Sequence, residues 1–243
     1  MAFPSFPAKN AINVVDFEFA ALSAATNYRK ALLREFAPFL RGQVIEIGAG
    51  AGQMTGELFT LPTIVKLVPI EPENRFCALH RSQYPQCPIV QGTIADADPS
   101  DTWNAIVSIN VLEHIEDDDA ELAQYAKLLR SQCGYLCLFV PARPEIYAPI
   151  DKDFGHFRRY TKTELRKKLV MAGFEVQRIY YYNFIGYFAW WFNFCLLKER
   201  SFQVAKVKLF DRWIFPFAYQ LESRLLRPCI GQNLLAIAKP RAT

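Results

Sequence analysis

A glycine-rich segment near position 50 has the residue types and spacing of a loop that binds a nucleotide-like cofactor. Residues 46–52 read Glu-Ile-Gly-Ala-Gly-Ala-Gly, after a short apolar run that predicts a strand and before a predicted helix. Glycines at such positions let the backbone turn sharply and approach a ligand closely. NAD-binding loops carry similar glycines, so the glycine pattern by itself leaves the cofactor open.

Two carboxylates near these glycines favour S-adenosylmethionine (SAM) over NAD. Glu46 comes just before the glycines, where a carboxylate can help to hold a cationic amino group, directly or through water. Glu71 stands 19 residues after Gly52 and ends the next predicted strand, where it can accept hydrogen bonds from both ribose hydroxyls. The alternative for Glu71 is a surface acid at a strand end, which the glycine motif before it disfavours.

Two histidines are the candidates for a general base. His156 lies in the loop 153–161, which leads into a predicted capped helix, and a neutral imidazole can accept a proton near pH 7. His114 follows the fourth predicted strand and is the second candidate, with a packing role as the alternative. His80 lies in a predicted helix and is expected at the surface.

Three residues next to the loop histidine are candidates for substrate binding. Arg158 and Arg159 can bind phosphate or carboxylate groups, and Tyr160 follows them directly. The alternative is a structural clasp in which the arginines pair with Asp151 or Asp153 and His156 hydrogen-bonds to the backbone.

No metal site is predicted. The acidic residues within 116–121 are expected to cap a helix and to favour its dipole. The six cysteines form no CxxC pair and no zinc-like cluster with histidine. Scattered thiols of this kind indicate a reducing compartment, so a cytoplasmic location is expected.

Alternating strands and helices are predicted to position these residues. The predicted strands are 43–48, 64–70, 88–91, 105–109, 135–140, 175–182 and 234–238, and the predicted helices are 17–41, 54–59, 74–84, 120–130 and 161–173. This alternation predicts an α/β fold with a mainly parallel sheet of seven strands and helices on both faces.

The segment before the last strand differs from the rest of the chain. Residues 152–228 hold 15 basic, 6 acidic and 20 of the 35 aromatic residues, whereas residues 1–151 hold 11 basic and 18 acidic ones. This basic, aromatic region is expected to meet an anionic or flat apolar ligand, and contact with the acidic region is the alternative.

An apolar run at 184–197 lies within this segment and is shorter than the ~20 residues that cross a bilayer. The aromatic stretch 180–194, which overlaps it, is interpreted as a lid over an apolar acceptor, with an insertion core or a membrane-surface contact as alternatives. The predicted division is therefore a helical cap (1–41), a SAM-binding core (42–182), a helical lid (183–230), and a final strand with the tail (231–243).

Several segments resemble the successive cofactor motifs of class I SAM-dependent methyltransferases. They are VIEIGAGAGQMT, PIEPE, QGTIAD and NAIVSINVLEHIEDD. A bacterial small-molecule subgroup with a GHxRRYT segment is resembled by NYRKALLREFAPFL, VPARPEIYAPIDKDFGHFRRYTKTEL, YYYNFIGYFAWWFN, LFDR and GQNLLAIAKP. The resemblance covers nearly the whole chain. It implies a Rossmann-like class I methyltransferase fold, SAM as the cofactor and S-adenosylhomocysteine as its product.

The resemblance also implies which residues surround SAM. They are Tyr28, Glu46, Gly48, Ala49, Gly50, Glu71, Pro72, Thr93, Ile94, Asn110 and Val111. In this pattern Glu71 holds the ribose, while Asn110 and Val111 lie under the sulfonium. Thr93 departs from it, because many relatives have there an aspartate that binds the adenine amino group. Asp96 is the alternative acceptor for that group.

The predicted function is methyl transfer from SAM to a small, apolar or aromatic acceptor in natural-product or secondary metabolism. One alternative is a lipid-linked glycan or quinone-type acceptor at the inner membrane surface, reached by peripheral contact. A second is a SAM-binding protein that promotes a non-methylating reaction such as cyclisation. Nucleic acid is not expected as a partner, because the basic residues are mixed with acidic ones. A homodimer is left open.

Overall fold

A mixed seven-stranded sheet runs through the computed structural model, which describes residues 23–98, 101–201, 203–224 and 227–241. Its strands are β1 (Gly42–Ile47), β2 (Ile64–Glu71), β3 (Val90–Gln91), β4 (Ala105–Ile109), β5 (Tyr135–Pro141), β6 (Phe174–Tyr182) and β7 (Asn233–Pro240). They lie in the order β3-β2-β1-β4-β5-β7-β6.

The direction of the strands fits the predicted Rossmann-like α/β fold. Strands β1 to β5 pair in parallel, while β7 lies antiparallel between β5 and β6. The sheet is therefore mixed, with the parallel part at its centre. The chain order reverses between β1 and β4, and the carboxyl edge of a sheet at such a point is where ligands bind in open α/β folds.

Helices connect the strands and cover both faces of the sheet. They are α1 (Thr26–Phe36), α2 (Gln53–Leu58), α3 (Asn74–Gln83), α4 (Asp118–Leu129), α5 (Pro149–Asp153) and α6 (Lys162–Met171). The predicted capping box of α6 is confirmed, because the Glu164 amide donates to Thr161 Oγ1 at 3.1 Å. Residues 17–22 of the first predicted helix lie outside the described residues, and α5 was not predicted.

The central strands are buried on both faces, which explains their continuous apolar runs. On β1, Val44 and Ile45 point to opposite faces and both are fully buried. The face of Ile45 packs against α4 and α6, and the face of Val44 packs against α1. Packing on both faces holds the strands in place, and the loops at their carboxyl ends are thereby positioned along one edge of the sheet.

The connection between β6 and β7, residues 183–232 and here called the insertion, is helical as expected. It contains α7 (Phe184–Trp190), a π-helical segment (Trp191–Leu196), α8 (Val204–Leu209), a second π-helical segment (Phe210–Ile214) and α9 (Phe215–Arg224). Among the described residues, no helix combines the length and the apolar character that crossing a membrane requires.

The insertion holds the N-terminal end of α1 through a buried carboxylate. Asp211 Oδ2 accepts the Asn27 amide and Oδ1 accepts the Tyr28 amide, both at 2.9 Å. The Asn27 side chain returns a bond to the Asp211 carbonyl at 2.9 Å. These bonds satisfy amides that the first turn of a helix leaves unpaired, so the insertion and α1 are fastened together.

Replacing this carboxylate should loosen α1. We expect Asp211→Ala to lower the free energy of unfolding by about 0.5–2 kcal/mol, because two helix-terminal amides lose their acceptor. Denaturant unfolding followed by fluorescence measures this loss. The control is Asp119→Ala, which removes an exposed partner of Lys168 and should change stability by less than about 0.5 kcal/mol. Equal losses in the two variants would contradict the fastening role of Asp211.

Candidate functional site

A cavity of about 1090 Å³ opens at the carboxyl ends of β1, β2 and β4. Most of the predicted cofactor and catalytic residues line it: Tyr28, Glu46, Gly48, Ala49, Glu71, Pro72, Thr93, Ile94, Asn110, Val111, His114 and His156. Gly50 does not line the cavity, but its amide donates to Glu71 at 2.9 Å. The fold thus brings residues from distant parts of the chain to one edge of the sheet.

The glycine-rich loop is pinned against β2 and against the loop after β4. The amides of Gly48 and Ala49 both donate to the Ile70 carbonyl, at 2.9 and 3.1 Å. Gly48 has φ +67°, and a Cβ there would lie 2.4 Å from Val111 Cγ2. A side chain at this position would therefore be strained and would collide, which accounts for the glycine.

Glu71 joins the end of β2 to the glycine-rich loop. Its Oε2 accepts the Gly50 amide and its Oε1 accepts the Glu73 amide, each at 2.9 Å. Burial raises the pKa of the carboxyl group, against the lowering effect of these two bonds. Each carboxylate oxygen has a second lone pair, so the side chain keeps the capacity to accept bonds from a ribose diol in the cavity.

Glu46 lies at the base of the cavity and is almost fully buried. Its Oε2 accepts the Thr55 hydroxyl at 2.6 Å, and burial raises its pKa to about 8. A cationic group in the cavity would stabilise the ionised form of this carboxyl. The Thr55 hydroxyl also lies 3.2 Å from His80 Nε2. The expected surface position of His80 is wrong, since α3 packs against the glycine-rich loop and buries this ring completely.

At the end of the cavity expected to take the adenine, Thr93 and Asp96 cap a short turn. Asp96 Oδ2 accepts the Thr93 amide at 2.8 Å, and Thr93 Oγ1 accepts the Ala95 amide at 3.3 Å. Thr93 lines the cavity, whereas Asp96 is not among the described lining residues. The Asp96 carboxylate is thus engaged in shaping this turn.

Asn110 follows β4 and lines the cavity. Its φ of +52° is the left-handed conformation that asparagine adopts more readily than most residues, and its amide donates to the Phe139 carbonyl at 2.9 Å. Its side-chain oxygen is buried and accepts no hydrogen bond from the described part of the chain. A buried acceptor of this kind fits a ligand that brings its own donor.

The rings of His114 and His156 meet edge to face, with centroids 4.7 Å apart. His156 Nδ1 lies 3.0 Å from Oδ1 of the fully buried Asp151. Although burial raises the pKa of Asp151, bonds from His156 and Arg159 hold it below its usual value. Burial and the neighbouring His156 ring lower the pKa of His114 to about 3.

Glu113 joins these two histidines in a cluster that sequence spacing did not reveal. One ligand-type atom from each of Glu113, His114 and His156 lies within 4.8 Å of the others. Such a group can hold a cation or orient a polar substrate group. Because two of its members come from the loop after β4 and one from the loop after β5, only the fold brings them together.

Of the two arginines after His156, Arg159 has the partner expected of the clasp alternative, whereas Arg158 has a different one. Arg158 pairs with Asp118 Oδ1 at 2.7 Å, and Tyr160 donates to Asp118 Oδ2 at 2.8 Å. Arg158 and Tyr160 are not among the described residues that line either cavity. Arg159 pairs with Asp151 at 2.8 Å. Buried carboxylates require such partners, and this requirement explains why these side chains turn away from the cofactor cavity.

A second cavity of about 390 Å³ lies under the insertion and meets the first. The two cavities share Tyr28, Asn110, Phe154 and His156. The second is further lined by the apolar side chains of Ala189, Trp190, Phe194, Leu209, Phe210 and Ile214 and by the charged ones of Glu113, Arg159, Glu199 and Lys206. Trp190 and Phe194 belong to the aromatic run of the sequence, whereas Leu209, Phe210 and Ile214 lie beyond it.

Comparison with known proteins places these features in a family. A family model described as a methyltransferase domain matches residues 21–179. Among curated proteins, none matches this chain. A putative methyltransferase from Bacillus halodurans is similar in structure, with a TM-score of 0.59, 18% identity, and coverage of 87% of this chain and 99% of the other.

Two further solved structures share the fold. One is from the Haloferax volcanii complex between the Trm112 methyltransferase activator and a putative methyltransferase, with a TM-score of 0.61, 16% identity, and coverage of 95% of this chain and 98% of the other. The second is a putative S-adenosylmethionine-dependent methyltransferase from Listeria monocytogenes, with a TM-score of 0.56, 16% identity, and coverage of 89% and 100%.

The raised pKa of Glu46 should appear in the stability of the protein without cofactor. The folded state holds this proton up to about pH 8, whereas the unfolded chain releases it near 4.5. The stability that Glu46 contributes is therefore complete below pH 4.5 and is lost as the pH rises towards 8. We expect Glu46→Gln to flatten the fall of melting temperature across this window. Glu145→Gln, at an exposed partner of Arg143, is the control, and an unchanged slope in Glu46→Gln would contradict the prediction.

Proposed function

Since the chain belongs to the methyltransferase domain family, we propose that it transfers a methyl group from SAM to a small acceptor whose apolar body fills the second cavity. Its enzyme class is SAM-dependent methyltransferase, with SAM as the cofactor. The observation that carries the proposal is that the two cavities share Asn110 and His156 as lining residues. The larger cavity has carboxylates in its wall, and the surface of the smaller one is mostly apolar. Two reactants held in such adjoining spaces are brought into contact with the correct orientation.

The first cavity has the groups that SAM requires. SAM supplies an electrophilic methyl group on a sulfonium when it is bound. Glu71 would accept the ribose hydroxyls, and Glu46 would face the cationic amino group, which favours the ionised carboxylate. Asn110 Oδ1, a buried acceptor with no bond from the described chain, would accept from the same end of the ligand. The glycine at position 48 lets the loop pack closely against Val111, where a Cβ would collide.

His156 is the side chain best suited to take a proton from the acceptor. Asp151 is held ionised, so it accepts a hydrogen bond and His156 Nδ1 must donate it. The tautomer that results leaves Nε2 as the basic nitrogen, and Asp151 stabilises the imidazolium once the proton has moved. His114 suits this role less well, because a pKa of about 3 makes it a weak base at neutral pH.

The second cavity favours an uncharged, apolar or aromatic acceptor. Most of its surface is apolar, with Trp190, Phe194 and Phe210 among the lining residues, and the Arg159 guanidinium is engaged by Asp151 and stacks 4.4 Å over the Trp190 ring. This apolar surface favours a ligand whose body is uncharged, while Glu113, Glu199 and Lys206 line other parts of the cavity. An acceptor with a flat apolar body and one hydroxyl or amine near His156 fits this environment. Compounds of this chemistry are common in natural-product and secondary metabolism.

The ribose role of Glu71 can be measured by calorimetry. We expect Glu71→Ala to weaken the binding of SAM and of S-adenosylhomocysteine by about 1.5–3 kcal/mol, as for charge-assisted hydrogen bonds. Because Glu71 also holds two backbone amides, thermal unfolding of the same variant must show that it is folded. Asp101→Ala removes a partner of Lys66 that does not line the cavity and should leave affinity unchanged. A folded Glu71→Ala with wild-type affinity would remove Glu71 from the site.

The base role of His156 can be tested by transfer of labelled methyl from SAM into a panel of phenols and amines and into cell extract. We expect His156→Gln to bind SAM normally and to lower turnover by about 10²–10⁴-fold. A folded variant with normal turnover would exclude His156 as the base.

A parallel measurement separates a base from a metal-assisted reaction. We expect EDTA to leave the wild-type turnover unchanged. If EDTA abolished turnover and Mg²⁺ or Mn²⁺ restored it, the cluster of Glu113, His114 and His156 would be a metal site, and the proposed base mechanism would be wrong.

A further inference from the structure

The first helical part of the insertion, residues 184–197, is apolar on its outward side as well as on its inward side. Gly186, Trp190 and Phe194 face the protein and are buried. The exposed apolar side chains of the same part recur at helical spacing: Phe184, Phe188, Trp191, Phe192, Leu196 and Leu197. A helix of a water-soluble surface normally carries polar residues on that side.

The second helical part of the insertion, residues 204–224, repeats this arrangement. Phe215 and Ala218 face the protein and are buried. The outward positions follow one another at intervals of four residues, with Ile214 beside them: Leu209, Trp213, Phe217 and Leu221. These residues and the six outward residues of the first part are here called the outer apolar face.

The outer apolar face is a local feature of the insertion. Of the 18 exposed large apolar residues in the described part of the chain, 11 belong to it, so the surface elsewhere does not share this character. The concentration of exposed aromatic and aliphatic side chains in one region indicates a surface that meets an apolar environment.

The charges in the segment 198–212, which links the two helical parts and includes the start of the second, indicate the nature of that environment. Residues 198–212 contain five basic residues and two acidic ones. One acid, Asp211, is buried in its bonds to α1, and the other, Glu199, lies 3.7 Å from Lys206. Exposed Lys198, Lys208 and Arg212 thus give this region a positive surface.

Aromatic and aliphatic side chains with lysine and arginine beside them are typical of helices that lie at the surface of an anionic bilayer. A second copy of the chain fits less well, because a symmetric contact would bring the same basic residues of both copies together.

The acceptor cavity opens onto the same face. Leu209 and Ile214 belong to the outer apolar face and also line the second cavity. Trp190 and Phe194, on the inward side of the first helical part, form its inner wall. An apolar molecule dissolved in a bilayer would therefore meet the mouth of the cavity at the place where the protein touches the lipid.

We propose that the outer apolar face docks on an anionic lipid bilayer and that the acceptor enters the second cavity from the lipid phase. The docking is independent of methyl transfer, whereas the route of the acceptor rests on the function proposed above. The acceptor is then a lipid-soluble molecule with one hydroxyl or amine that reaches His156.

Flotation with vesicles of phosphatidylcholine, or of equal parts phosphatidylcholine and phosphatidylglycerol, tests the docking without SAM or acceptor. We expect binding to the anionic vesicles at low salt and much weaker binding at high salt or to phosphatidylcholine alone. Trp213→Ser combined with Phe217→Ser, at side chains 65% and 73% exposed, should lower the partition coefficient at least about tenfold.

The matched control is Val65→Ser combined with Met171→Ser. These side chains are 85% and 72% exposed but lie outside the insertion, so the control should bind vesicles like the wild type. SAM affinity should be unchanged in all these variants. If the wild type fails to bind anionic vesicles at any salt concentration, or if both double variants bind equally well, the docking is refuted. A dimer that the Trp213/Phe217 variant alone disrupts, without lipid binding, would assign the face to a second copy and refute the proposal.

The route of the acceptor has its own readout. With labelled SAM and a lipid extract incorporated into anionic vesicles, we expect label in the organic phase and at least about a tenfold loss of rate in the Trp213/Phe217 variant. Normal transfer by that variant would refute entry from the lipid. Vesicle binding that persists while no methyl is transferred to any acceptor would leave the docking standing and refute the proposed function.

Discussion

The buried carboxylate of Asp151 needs cationic or hydrogen-bonding partners inside the protein. The arrangement of much of the site depends on those partners. Its side chain is fully buried and receives bonds from Arg159 and His156. An unpaired carboxylate in this position would cost several kcal/mol. Arg159 in turn donates to the Ala142 carbonyl at 3.2 Å and lies over the Trp190 ring. One charge therefore ties together the loop after β5, the end of that strand and the insertion, and it orients His156 at the junction of the two cavities.

The two cavities are coupled by structure as well as by proximity. Tyr28 lines both, and its hydroxyl donates to Asn233 at 3.1 Å, at the start of β7. The helix that carries Tyr28 is capped by Asp211 of the insertion. A shift of the insertion would therefore move a wall of the first cavity together with a wall of the second. The lining of the two cavities comes from segments spread over the described chain.

The sequence predicted those features that local patterns encode. The strand, glycine-rich loop and Glu71 were recognisable because the apolar runs and the glycines lie within a short stretch, and the strand bounds agree with the structure to within two residues for all seven strands. The burial of His80 and the pairing of Arg158 with Asp118 were not predictable in this way, since each depends on elements that meet only in the folded sheet. The second cavity depends on the packing of irregular helices, for which the aromatic run indicated composition but no geometry.

The antiparallel strand β7 sits between β5 and β6, although the chain reaches it only after the whole insertion. Strand β6 consequently has no neighbour in the sheet until the chain has passed through the helices that follow it. During synthesis on the ribosome, β6 is complete about 50 residues before β7, the strand that pairs with both β5 and β6. The large sequence separation of these contacts slows the pairing of the strands. Throughout that interval an open strand edge and an apolar helical segment are exposed together, and this combination makes the nascent chain prone to aggregation.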